Sequence, residues 1–334
     1  MSARIRVIGK RIIVAIITLF LSMVVSFVMM RETPGNVWQG LAYQMAQSQN
    51  IPLVMAYQRL TAMYHYNPNQ PMITAFLTYL NGVIHGNLGV SMLNQNVSVN
   101  QVIAAALPWT LFVAVIALGI SFIIGNWLGV RMAWKRNSFL DPLMTGLSVI
   151  SHAVPSFVIA LVLIVVFSLR LGWFPYNGAF SFLVQPGFNL PFFLSALDYA
   201  CLPILTYVLV LLGTQAMSMK STSLAVMNED YVSAAQARGL RESVIVKRYV
   251  KRIAILPQVT GLALSFGGIL GASALVETLF NYPGIGQFLT NATNTRDYSE
   301  LQGLFLFQAV CMIVANLIAN VLYAYLDPRV KTEG

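Results

Sequence analysis

Residues 231–257 read YVSAAQARGLRESVIVKRYVKRIAILP and carry the densest block of charge in the chain. Six basic residues stand here against one acidic residue, Glu242, although only 9% of the whole chain is charged. The rest is 57% hydrophobic with a mean hydropathy of +0.70, which is typical of a protein built for lipid. The stretch therefore marks a place where a membrane protein meets water.

Six apolar runs of about 20 residues predict transmembrane helices, which makes the chain an all-α polytopic membrane protein. The first run follows four basic residues and resembles a signal peptide, but its length and the absence of a small-x-small cleavage motif indicate a retained span. We place the spans at 12–30, 107–130, 143–168, 201–219, 254–276 and 302–325.

The distribution of lysine and arginine predicts the orientation of these spans. Sixteen basic residues fall in the termini and the connections on one side, and four fall on the other side. Because cytoplasmic loops carry the excess of lysine and arginine, we expect both termini in the cytoplasm. The long segment 31–106 is then outside, and the spacing of Leu53, Tyr57 and Leu60 predicts helices within it.

This organisation divides the chain into three parts. Residues 1–100 hold the first span and the extracytoplasmic segment, and residues 101–326 form the transmembrane core with a long cytoplasmic loop at 229–257. Residues 327–334 form a cytoplasmic tail.

The sequence lacks the residue patterns that are typical of catalytic and metal-binding sites. The three histidines lie in different segments, no HExxH or CxxC spacing occurs, and no glycine-rich phosphate loop is present. The basic residues lie in short connections between spans, which argues against a nucleic-acid partner. Because these motifs are missing, we expect no cofactor in this chain and no enzymatic activity of its own. The predicted spans are almost free of charge, which weighs against coupling to an ion gradient.

The loop at 229–257 predicts two helices joined by a sharp turn. The first runs to Arg238, and Gly239 supplies a left-handed stop. The second places Lys247 and Lys251 four residues apart, where they can reach lipid headgroups. The small residues of the first helix suit contact with another protein better than contact with lipid, so we expect a docking helix.

The same loop resembles the "EAA" loop of permease subunits in binding-protein-dependent ABC importers, in the form found in the dipeptide, oligopeptide and nickel branch. The positions that we assign to ATPase coupling are Tyr231, Ala234, Ala235, Ala237, Arg238, Gly239, Leu240 and Pro257. Ser233 stands where the glutamate that names the loop usually lies, and Arg238 stands where this branch usually has lysine.

Further landmarks of this branch follow in order along nearly the whole chain, and they are more similar to the B-type permease than to its C-type companion. They are TPGN at 33–36, NQPMITAFLTYLNGVIHGNLGVS at 69–91, LPWT at 107–110, PSFVIALVLIVVFSLRLGWFPYNG at 155–178, VETLFNYPGIGQFL at 276–289, RDY at 296–298 and LDPRVK at 326–331.

The resemblance implies a type I importer of the cell membrane. A heterodimer of two six-span permeases would form the pathway, two ATPase subunits would bind ATP and Mg²⁺ and hold the docking helices, and an extracytoplasmic binding protein would deliver the substrate. A peptide is the expected cargo, and the branch also includes importers of oligosaccharides and of nickel. A stand-alone channel or an ion-coupled transporter is the alternative.

Two smaller features lie on the outer side. Glu277 and Arg296 flank the loop after the fifth span, and we consider them a pair at the mouth of the pathway, with a structural pair near the headgroups as the alternative. Asn36, Asn69 and Asn87 stand where the branch generally has aspartate, and both residue types suit turns.

Overall fold

A computed structural model describes residues 2–32, 37–64, 70–91, 97–135 and 139–326. Within these ranges the chain is helical and contains no strand, apart from one isolated antiparallel bridge between Val90 and Ser98. The helices are α1 (Ser2–Glu32), α2 (Val37–Gln49), α3 (Leu53–Tyr64), α4 (Met72–Ile84), α5 (Val99–Trp134), α6 (Leu140–Ala153), α7 (Ser156–Leu163), α8 (Leu190–Met227), α9 (Asp230–Ala237), α10 (Glu242–Val244), α11 (Lys251–Ala254), α12 (Leu256–Leu279), α13 (Ile285–Thr295) and α14 (Tyr298–Leu326). Two π-helical segments, Ile164–Arg170 and Ile245–Val250, follow α7 and α10 directly.

Four helices are individually long and apolar enough to cross a membrane, namely α1, α5, α8 and α14. Two bent pairs, Leu140–Ala153 with Ser156–Arg170 and Glu242–Ala254 with Leu256–Gly271, also pass when each pair is counted as one span. The total is then six, which confirms the predicted number of membrane helices.

The third predicted span, 143–168, is not one straight helix, because its two halves meet at an angle of 110°. Val154 ends α6 in an extended conformation and Pro155 precedes α7. Proline has no N–H to donate and pushes the residue before it out of the helical region. Pro155 therefore accounts for the break between the two halves of this span.

Helix α8 lies at the centre of the bundle and packs on α5, α6 and α12. Gly125 and Gly129 of α5 allow this close approach, because a Cβ atom at Gly129 would lie 2.5 Å from the carbonyl oxygen of Ala216. On the α6 side, a Cβ at Gly213 would lie 2.5 Å from the backbone nitrogen of Ser148. Glycines spaced by four residues allow the backbones of membrane helices to pack directly against each other.

The segment before α5 is structured, as its helical spacing predicted. Helices α2 and α3 bury Ala42, Ala56 and Leu60 between them, and Tyr298 at the start of α14 packs against this cluster. Helix α4 packs along α1 through aromatic contacts, with the Phe27 and Phe76 ring centroids 5.3 Å apart.

The two ends of the bundle are distinct. The Thr110 hydroxyl of α5 accepts a hydrogen bond from the Ile285 N–H of α13, whereas Val130, near the end of α5, lies in the same buried cluster as Val232 of α9. Twenty residues of α-helix span about 30 Å. We call these two ends of the bundle the α13 face and the α9 face.

Candidate functional site: the α9 module and the helix junctions that support it

Helix α9 is attached to the bundle by one side only. Val232 and Ala235 are almost completely buried, at 0% and 3% exposure. They pack in what we call the anchor cluster, whose other buried members are Val130, Met219, Val226, Ile245, Val250 and Ala254. Because these residues come from α5, α8 and the segments after α9, the anchor cluster joins α9 to several helices of the bundle.

The opposite side of α9 is open. Ser233, Ala234, Gln236 and Ala237 are exposed. Apart from Gln236, the side chains on this surface are small, which allows another protein to approach the helix backbone closely. Among the predicted coupling residues, Ala234 and Ala237 therefore lie on the exposed side, whereas Ala235 lies in the anchor cluster and Tyr231 is partly buried beside it.

The turn after α9 has the geometry predicted for Gly239. This residue has φ of +73°, its N–H donates to the Gln236 carbonyl at 2.9 Å, and the Leu240 N–H donates to the Ala235 carbonyl at 3.3 Å. These two bonds form a Schellman motif, which satisfies the last carbonyls of a helix. Arg238, Gly239 and Leu240 are all exposed, so the turn extends the open side of α9.

The segment after the turn returns the chain to the membrane helices. Lys247, Arg248, Lys251 and Arg252 are all exposed along it. Residues 245–250 form a π-helical turn instead of the α-helical turn that the sequence predicted. The chain then bends by 45°. Pro257 is exposed at the second position of α12, where an N–H group would have no partner within the helix, so a proline costs no hydrogen bond there.

A chain of polar side chains crosses the bundle near the anchor cluster. Gln215 donates to Asn126 and to Gln258 at 3.1 Å each, and Gln258 donates to Thr222 at 2.8 Å. These residues belong to α5, α8 and α12, so the amide chain links three helices. The sequence analysis missed it, although amide side chains inside apolar spans are the signal for such contacts.

An ion pair supports the same end of the molecule. The Lys220 ammonium lies 2.6 Å from the Asp141 carboxylate and joins α8 to the start of α6. Both side chains are partly exposed, so its contribution to stability is small.

At the α13 face, Glu277 forms a buried junction between helices. Its carboxylate accepts hydrogen bonds from the Thr110 hydroxyl at 2.8 Å and from the N–H groups of Gly286 and Gln287 at 2.7 and 3.3 Å. Glu277 is only 5% exposed. A carboxylate at the start of α13 satisfies N–H groups that have no partner within that helix and interacts favourably with the helix dipole.

The considered pair between Glu277 and Arg296 is not formed. Glu277 lies at the first turn of α13, whereas Arg296 ends α13 in a left-handed conformation with φ of +58°. Eleven helical residues separate the two positions, which corresponds to about 16 Å. Arg296 is exposed and makes no ion pair within the described part of the chain.

A second polar junction gives a structural role to Asp297, the aspartate of the RDY landmark. The Ser91 hydroxyl donates to the Asp297 carboxylate at 2.6 Å, and the Glu300 N–H donates to the same carboxylate at 3.0 Å. Asp297 therefore caps α14 and attaches the segment before α5 to it. Asn87 accepts from the Gly89 N–H at 2.9 Å, as a turn residue does, whereas Asn36 and Asn69 lie outside the described residues.

Comparison with known proteins identifies the family of this chain. Residues 125–332, which include α9, the turn at Gly239, Glu277 and Asp297, match the family described as "Binding-protein-dependent transport system inner membrane component". The chain belongs to this family. It is therefore an inner-membrane permease component of a transport system and not an enzyme.

Similar proteins cover nearly the whole permease. A putative peptide permease protein of Brucella suis is 31% identical over 322 residues, covering 96% of this chain and 97% of the relative. The oligopeptide transport system permease protein OppB of Escherichia coli K12 is 31% identical over 325 residues, covering 96% and 98%. The permease protein AppB of the oligopeptide transport system of Bacillus subtilis is 29% identical over 308 residues, covering 92% and 93%.

Proposed function

We propose that this permease forms half of the pathway of an ATP-driven importer of peptides. Its partners are a second, similar permease, two ATPase subunits and an extracytoplasmic binding protein that delivers the cargo. The names of the relatives from three organisms support a peptide as the cargo. ATP and Mg²⁺ are bound by the ATPase subunits, and the permease itself carries no cofactor.

The proposal depends most on the two-sided structure of α9. Val232 and Ala235 anchor the helix inside the bundle, while Ala234 and Ala237 leave its other side open and small. A helix that merely lay on lipid would direct its large apolar side chains outward into the bilayer. The open side of α9 instead fits a groove in another protein.

The α9 face is cytoplasmic in this proposal. The exposed basic residues Lys247, Arg248, Lys251 and Arg252 lie on this face, in agreement with the excess of lysine and arginine in cytoplasmic loops. Both termini then lie in the cytoplasm, and α13 and the helices α2–α4 lie outside.

Transport follows from movement of α9 as part of a larger body. When ATP draws the two ATPase subunits together, each pulls on the α9 helix that it holds. The anchor cluster transmits this displacement to α5 and α8, because its residues pack too closely to deform independently. Tilting of these helices against those of the second permease opens the pathway alternately to each side of the membrane.

Cysteine crosslinking tests the contact with the ATPase. Cys201 and Cys311 are replaced by alanine, and a single cysteine is introduced at Ala234, Ala237 or, as a buried control, Ala235. We expect the variants at Ala234 and Ala237 to crosslink to an ATPase subunit in native membranes, and the variant at Ala235 to crosslink at least about tenfold less.

The same membranes distinguish this proposal from the alternatives. A stand-alone channel or ion-coupled transporter would purify without ATPase subunits and would transport in the absence of ATP. Crosslinks from Ala234 and Ala237 only to phospholipid would contradict the proposed role of α9.

A further inference from the structure

An open cavity of about 830 Å³ lies at the α13 face and not at the α9 face. One wall comes from the end of the bent third span and the loop after it, and the other from the first turns of α8. The residues that matter for its chemistry are Ser168, Trp173, Phe174, Ser195, Asp198 and Tyr199. Its volume lies within the range of small-molecule binding sites, about 300–1,000 Å³.

Asp198 is the only charged residue that lines this cavity among the described residues. It is the ninth residue of α8, within a helix long and apolar enough to span a membrane. The side chain is exposed and forms no ion pair in the described part of the chain. Because Asp198 precedes the fourth predicted span, which begins at residue 201, it lies near one end of α8, where water can reach an ionised carboxylate.

The walls of the cavity are fixed by contacts with the helix bundle. The Ser181 N–H donates to the Ser195 hydroxyl at 2.8 Å, which holds the loop against α8. Phe180 stacks on Trp109 of α5, with ring centroids 5.9 Å apart. Trp173 packs on Phe167 at 5.6 Å between centroids. A site that is held in shape before the ligand arrives binds with a smaller loss of conformational entropy.

The chemistry of the lining favours a primary ammonium group. A carboxylate forms strong charge-assisted hydrogen bonds with –NH₃⁺, and the face of an indole attracts cations. Asp198 and Trp173 supply these two groups, and Ser168 and Ser195 supply hydroxyl oxygens that can accept further bonds. Phe174 and other apolar residues leave room for a side chain next to the ammonium.

We propose that this cavity binds the terminal ammonium group of the cargo peptide as the peptide enters the permease. The inference rests on the proposed function, because it requires that the α13 face is outside and that peptides are transported. An amine in a lipid headgroup offers the same chemistry, so the test must separate the two sources.

The test measures the binding of trialanine and of N-acetyl-trialanine to the permease pair with its two ATPase subunits, without the binding protein. The complex is held in nanodiscs of phosphatidylglycerol, a lipid without an amine. We expect wild type to bind trialanine at least about tenfold more tightly than N-acetyl-trialanine, because hydrogen bonds to charged groups have about this effect. Asp198→Asn should lose most of this preference. Glu32→Gln, which removes an exposed carboxylate at the end of α1 outside the cavity, should keep it.

Several results would overturn the inference. These are equal binding of the two peptides by wild type, no measurable binding of either, or an unchanged preference in Asp198→Asn. An effect of Asp198→Asn that is seen only in nanodiscs containing phosphatidylethanolamine, without a change in trialanine binding, would assign the cavity to a lipid headgroup instead. The proposed function is tested separately by ATP-driven uptake and by the crosslinks of α9, so the failure of one does not imply the failure of the other.

Discussion

Replacement of Gly239 by a residue with a Cβ atom should weaken the contact between the permease and its ATPase. Gly239 has φ of +73°, and an added Cβ would have no atom within 4 Å. The whole cost therefore comes from backbone conformation and not from a clash. We expect the variants to insert and fold normally, because this turn is exposed and lies outside the anchor cluster.

The size of the effect follows from the cost of the left-handed conformation. For alanine this is about 1–2 kcal/mol, which corresponds to a fall of about fivefold to thirtyfold in the population of the native turn. Valine is branched at Cβ and costs up to about 3 kcal/mol, which corresponds to a fall of up to about 150-fold in the population of the native turn. Asparagine tolerates this conformation, so Gly239→Asn should remain close to wild type.

The assay titrates purified ATPase subunits against the permease pair in nanodiscs and records the concentration for half-maximal assembly. Peptide transported per ATP hydrolysed is measured in proteoliposomes. Gly86 provides a matched control, because it also has positive φ, at +75°, with no atom within 4 Å of an added Cβ, but lies at the α13 face. Gly86→Val should carry a similar backbone cost and leave the affinity for the ATPase unchanged.

Two outcomes would refute this reasoning. If Gly239→Val assembles and transports like wild type, the left-handed turn does not direct α9 toward the ATPase. If Gly239→Asn is as defective as Gly239→Val, the defect arises from side-chain bulk at the contact and not from the backbone.

Three further variants probe the helix junctions, each by thermal unfolding of the purified permease. Glu277→Leu leaves buried N–H groups without a partner and should cost about 1–3 kcal/mol per group, whereas Glu277→Gln keeps an acceptor oxygen and should cost less. Gly129→Val should force α5 away from α8 and cost at least about 1–3 kcal/mol, whereas Gly119→Val, with no atom within 4 Å of its Cβ, should be nearly neutral. Lys220→Met should cost less than about 1 kcal/mol because its pair with Asp141 is partly exposed, and a larger loss would show that the pair is structural.

Features that depend on local sequence were predictable. Hydropathy predicts the six spans, and the left-handed stop at Gly239 follows from the freedom of glycine at positive φ. The helical spacing of Leu53 and Leu60 predicts α3. In each case the residues that decide the structure lie within a few turns of each other.

Features that depend on distant partners were not predictable from one sequence. Glu277 meets Thr110 across 167 positions, and Ser91 meets Asp297 across 206. The proximity of Glu277 and Arg296 in sequence suggested a pair, but the helix between them keeps them apart. The pairing of buried polar groups is decided by helix packing, which periodicity does not specify.

The amide chain that joins Asn126, Gln215 and Gln258 has a consequence for how the molecule works. Breaking it inside the bilayer would leave amides unsolvated, and the glycine contact at Gly129 prevents α5 from sliding along α8. In the proposed mechanism, α5, α8 and α12 therefore move as one rigid unit, so that a displacement of α9 at one end is carried to the other end. The sliding surface of the proposed cycle then lies between this unit and the second permease.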